Sequence, residues 1–177
     1  MARKHQPYYC EENVWHLNRE PELALLRRVV LVLTNAQRAL AIWNQRIATV
    51  PGGVVLWDYH VILAVAADLG WSIFDLDSRL PCPCPLSAYL DGSFAPLPRI
   101  PREFHPRIRI VDSARYERDF ASDRSHMQGP RGYRKPAPPW PKIGAGNRLP
   151  ELLDFDDLHF GPVVTLDELP RALGDPW

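Results

Sequence analysis

Three features of the chain predict an α+β domain, with helices flanking a central and mostly antiparallel sheet. Residues 29–33 and 54–66 are apolar runs rich in β-branched side chains, the pattern of strands with little solvent contact. Turn signals, Pro51-Gly52-Gly53 and Asp68-Leu69-Gly70, punctuate these runs. Short helical patterns flank the strand-rich centre, and no repeat or linker divides the 177 residues, so one domain spanning 1–177 is expected.

Taken in order, residues 11–18 predict a short helix with Val14 and Leu17 facing inward. Pro21 suits the first turn of a second helix over 22–28, with Leu23 and Leu26 buried. The run at 29–33 is the first strand, and Thr34 to Gln37 a turn. Residues 40–47 read as a second strand, 54–66 as the longest, and 71–77 as the strand returning from the turn at Asp68. A strand over 104–111, a helix over 114–120, a strand over 162–165 and a helix over 166–173 complete the series. Many of the 19 prolines fall in 81–106 and 130–141, which read as extended connections wrapped on the core.

Composition excludes several classes of function. Lys plus Arg and Asp plus Glu both total 21, so no bulk charge draws the chain to nucleic acid or to an anionic membrane. The start lacks the apolar stretch of a secretory signal, and the longest apolar run is too short to span a bilayer. Three cysteines make no disulfide framework and point to a reducing compartment, so a cytoplasmic protein is expected, also nuclear if the organism is eukaryotic. Nothing suggests an obligate partner, and a monomer is expected.

The chemistry begins at Cys10, placed where the helix over 11–18 starts. A thiol there meets the positive end of the helix dipole and free backbone N–H groups, which favour the thiolate. A nucleophilic cysteine requires a base and a group to orient it. Period-two alternation puts Asp58 and His60 on one face of the long strand, opposite Trp57, Tyr59 and Val61. A two-residue turn would pair Ala67 with Gly70 and set Ile62 opposite Asp75 and His60 opposite Asp77; a four-residue loop would set His60 opposite Asp75. Either leaves the histidine within direct or diagonal reach of both acids, so parity permits a His–Asp pair without choosing the aspartate. Cys82 and Cys84, one residue apart among prolines, fit zinc spacing poorly and read as structural thiols; no metal site is expected.

Four stretches then combine in order: Tyr9-Cys10-Glu11-Glu12-Asn13-Val14-Trp15, Trp57-Asp58-Tyr59-His60-Val61, Asp75-Leu76-Asp77, and Phe120-Ala121-Ser122-Asp123-Arg124-Ser125-His126-Met127. Together they resemble the protein N-terminal glutamine amidohydrolase family. The Pro-Pro-Trp-Pro segment and the Gly161-Pro162-Val163-Val164-Thr165-Leu166 tail look like that family too. The resemblance implies a cysteine hydrolase with a fold related to papain-like and transglutaminase-like enzymes. Such an enzyme converts the N-terminal glutamine of proteins or peptides to glutamate, releasing ammonia, with no cofactor. It implies Cys10 as nucleophile, His60 as base and Asp75 as the acid, and a place in eukaryotic N-degron pathways. Tyr8-Tyr9-Cys10 departs from a Cys-Tyr-Cys pattern of relatives, and Cys82 stands where an aromatic is common.

Selecting a free α-ammonium calls for an acid, for which Glu12, Asp58 and Asp123 are candidates; Ser125 or backbone groups are the candidates for reading the amide. The alternatives are a cysteine protease or transglutaminase-like enzyme acting on internal sites, and a non-enzymatic adaptor that docks through the proline-rich 130–141 segment.

Overall fold

The computed structural model describes residues 3–68 and 70–174; Leu69 of the expected turn, and residues 1, 2 and 175–177 of the expected domain, lie outside them. In chain order the elements are α1 (Cys10–Asn18), β1 (Arg28–Thr34), β2 (Leu40–Ile42), β3 (Val55–Trp57), β4 (His60–Ala67), β5 (Gly70–Phe74), β6 (Cys84–Pro85) and α2 (Leu86–Ser93). Then follow β7 (Arg107–Asp112), α3 (Ser113–Asp119), β8 (Gln128–Gly129), β9 (Gly132–Tyr133), α4 (Leu149–Leu153), β10 (Val163–Thr165) and α5 (Leu169–Leu173).

Six strands form the main sheet in the order β10-β7-β1-β4-β5-β6, each pair antiparallel. Alternation along β1 sends Val30 and Val32 to one face and Leu31 and Leu33 to the other, and both faces are covered. On the first face the core contains Val14 and Leu17 of α1, Tyr116 of α3 and Leu149 and Leu152 of α4, packed with Val61, Leu63 and Val65 of β4. On the second, Tyr89 of α2 and Leu169 and Leu173 of α5 join Ile62, Ala64 and Ile73, with Leu40 and Ile42 of β2. Two covered faces explain why the central strands read as continuous apolar runs despite their antiparallel pairing.

Several expected boundaries move. The long 54–66 strand is broken at Asp58 and Tyr59 into β3 and β4, which belong to different sheets. The break cancels the parity argument at that point: Asp58 is exposed while His60 is fully buried, and Trp57 joins the same core cluster as Ile62. The expected 22–28 helix shrinks to a single 3-10 turn, Pro21–Leu23, because the Arg28 guanidinium hydrogen-bonds the carbonyls of Leu23, Ala24 and Leu26 and the backbone passes straight into β1. Residues 40–47 keep only three strand residues, and the expected strands over 71–77 and 104–111 become β5 and β7. Helix α2 lies inside the stretch read as an extended proline-rich connection; Pro85 immediately precedes its first turn, where a missing N–H costs nothing. The 130–141 segment is anchored, with Trp140 buried and the Pro138, Trp140 and Pro141 carbonyls bound by Arg124.

One glycine is required by close packing. Gly161 adopts φ +120°, and a Cβ there would overlap the carbonyl oxygen of Ile110, whose N–H bonds Pro162 across the β7–β10 edge. Gly161→Ala should therefore destabilise the protein by about 2 kcal/mol or more, read as a lowered urea midpoint.

Candidate active site

Cys10 is the first residue of α1, as its position before Glu11 and Glu12 predicts. Asn13 fixes the approach of the chain: its side chain accepts from the Gln6 N–H and donates to the Gln6 carbonyl, at 2.8 and 2.9 Å. Tyr8, at φ +72°, then turns the backbone into the helix. The Cys10 thiol is 3% exposed, 3.7 Å from Glu11 Oε2, and receives a hydrogen bond from the Val61 N–H. Burial, and next the Glu11 and Asp77 carboxylates, push its pKa well up, against the Val61 N–H. Burial thus opposes the thiolate that the helix start is expected to favour.

His60 opens β4, and Asp75 follows the last residue of β5. Ala67 pairs with Gly70 and Leu63 with Phe74, the register of a two-residue turn. The imidazole nevertheless finds Asp75, the diagonal partner, with His60 Nε2 3.0 Å from Asp75 Oδ1. Asp75 also accepts from Gln45 Nε2 at 3.1 Å, Tyr89 O–H at 2.9 Å and the Asp77 N–H at 3.0 Å. Asp77 is turned away to His5, 2.9 Å from its ring. Burial would raise the Asp75 pKa, but His60 first, then Gln45 and Tyr89, hold it below the usual carboxylate range. Burial would lower His60, but the charge and hydrogen bond of Asp75 raise it.

Trp57 stacks on the His60 ring with centroids 5.0 Å apart. The remaining ring nitrogen, Nδ1, is buried and without a hydrogen-bond partner. The sulfur and the imidazole are not joined by a hydrogen bond; what adjoins the sulfur is the amide of Val61, the residue after His60.

A cleft of about 500 Å³ opens over the sulfur, lined among others by Cys10, Trp57, Asp58, Tyr59, His126 and Lys135. Of the four residues expected to read substrate, Asp58 alone is among its lining residues. Glu12 is fully buried and saturated: Arg124 binds both its oxygens at 2.8 Å, with Trp140 Nε1 at 2.7 Å and the Ser122 hydroxyl at 3.1 Å. It cannot also serve an ammonium, and it ties α1 to the 120–141 segment. Glu12→Ala strands the Arg124 cation and should cost about 3–5 kcal/mol in chemical denaturation. Asp123 accepts from the Ser125 N–H in a local turn, and Ser125 Oγ accepts from Asn147, 22 positions along the chain. Sequence reasoning missed Gln45 and Tyr89, whose approach to Asp75 depends on a loop and a helix not legible as such, and it assigned no role to Glu11.

With this geometry in view, the chain matches the family model for N-terminal glutamine amidase over residues 5–173. It belongs to the N-terminal glutamine amidase family. Among its relatives are the protein N-terminal glutamine amidohydrolases of Homo sapiens, 34% identical over 94% of this chain and 85% of the relative, and of Bos taurus, 35% identical over 90% and 82%. That of Danio rerio is 32% identical over 94% and 87%. The N-terminal glutamine amidase match contains Cys10, His60 and Asp75 together with the cleft.

Proposed function

We propose that this protein hydrolyses the side-chain amide of an N-terminal glutamine in proteins or peptides, forming glutamate and releasing ammonia. The observation that carries this reading is the family match from residue 5 to 173, whose relatives bear that activity in their names. The Cys10 thiol at a helix start, beside a cleft, is the nucleophile the reaction calls for.

In the mechanism we favour, His60 takes the Cys10 proton through Nδ1, the nitrogen that Asp75 leaves uncommitted. Asp75 orients the ring and stabilises its cationic form, the part a carboxylate plays in cysteine and serine hydrolases. The sulfur attacks the amide carbon, and backbone N–H groups at the start of α1 stabilise the oxyanion, worth about 3 kcal/mol where such donors are aligned. The C–N bond breaks as His60 returns its proton to the departing ammonia. A water deprotonated by His60 then cleaves the γ-glutamyl thioester, giving glutamate and regenerating the thiol. With burial raising the thiol pKa, this route assigns deprotonation of the sulfur to the imidazole. The order of a cysteine-bearing helix, a histidine strand and an acid just past the end of the next strand supports kinship with papain-like and transglutaminase-like enzymes.

The test is ammonia release from peptides beginning with Gln, beginning with Asn, or carrying Gln internally. Release from the Gln-leading peptide alone is expected. Equal turnover of internal glutamine, or a cleaved or crosslinked product, would favour a protease or transglutaminase instead.

A further inference from the structure

Resting on that reading, we propose that Glu11 is the residue that distinguishes glutamine from glutamate, by accepting the substrate's side-chain amide N–H and repelling a carboxylate. Glu11 follows the proposed nucleophile and is fully buried. Its Oε2 lies 3.7 Å from Cys10 Sγ and accepts the Tyr59 O–H at 3.0 Å. Its Oε1 is buried and makes no hydrogen bond; His126 Nε2 stands 3.3 Å away. These three neighbours, Cys10, Tyr59 and His126, all line the cleft.

The contrast with Glu12 is informative. That carboxylate is closed by Arg124, Trp140 and Ser122, whereas among the described residues no Lys or Arg pairs with Glu11. Burying a carboxylate with an oxygen unbound is costly, and here the other oxygen of the same carboxylate stands 3.7 Å from the sulfur.

A carboxylate this close to the sulfur can reach the atoms bonded to the attacked carbon. The α-ammonium is four bonds from that carbon, so the amide nitrogen and oxygen are the nearer groups. The nitrogen carries two donors and the oxygen only lone pairs. Glu11 therefore takes the nitrogen and turns the oxygen toward the N–H groups at the start of α1. A γ-carboxylate presents only acceptors and a like charge, so glutamate is refused and the product is expelled. Sites built around a hydrogen bond reject analogues lacking it far more strongly than apolar pockets do.

The experiment compares binding of two peptides differing only in a first residue of Gln or Glu, by calorimetry, in the Cys10→Ala protein so that nothing turns over. The Gln peptide should bind at least about tenfold more tightly. Adding Glu11→Gln should bring the ratio near one, mainly through tighter binding of the Glu peptide. Glu11→Asp, which keeps the charge but withdraws it by one methylene, should give an intermediate ratio and decides the matter if Glu11→Gln does not fold. A purely structural role would weaken both peptides alike. A Gln-to-Glu ratio unmoved by either variant overturns the assignment while leaving the amidohydrolase reading intact; failure of the Cys10→Ala protein to bind either peptide overturns both.

Discussion

Cys10→Ala should release ammonia from a Gln-leading peptide at least about a thousandfold more slowly than the parent, down to background. The expectation follows from the route proposed above: with no sulfur there is no thioester, and the neighbouring groups have only water to act on. Cys82→Ala provides the control. That thiol is half-buried, lies outside the cleft lining, and its loss should leave most of the activity. The same pair of variants separates chemistry from folding, since Cys10→Ala removes little volume from the cluster it shares with Val14 and Val61. Retention of activity by Cys10→Ala with an unchanged melting curve would reject the nucleophile assignment.

Asp75→Asn should lower kcat by about 10³- to 10⁴-fold while changing KM little, as expected when the imidazole loses the group that sets its tautomer. The effect has a second readout. Asp75 raises the His60 pKa, so the imidazolium, followed by NMR, should titrate at a lower pH in the variant. Asparagine can still accept from Gln45 and Tyr89, whose bonds to the Asp75 side chain measure 3.1 and 2.9 Å, so the local fold should survive. A variant with parental kcat, or with an unshifted His60 titration, would show that the buried pair is architectural only.

Strands β1 and β4 were visible in the sequence because both faces of the sheet are covered and the chain must be apolar at every position. Helix α2 was hidden because prolines surround it and its burial rests on few residues, Tyr89 and Ser93. The turn length was one of two parity solutions, and Ala67 opposite Gly70 is the shorter. Parity failed at Asp58 because the period-two rule holds only within an unbroken strand, and the strand breaks there.

The sequence by itself determined the order and identity of the chemical groups: a cysteine where a helix begins, a histidine on the next buried strand pair, and acids after the turn. These are local patterns, set by side-chain spacing and backbone propensity. Only the tertiary structure decided which carboxylates are free and which are spent. Glu12 is closed by Arg124, 112 positions away, while Glu11 beside it keeps a buried oxygen with no hydrogen bond, 3.3 Å from His126 of the cleft. No periodicity carries that difference, because the partners that satisfy a buried charge are brought to it by chain closure over long separations.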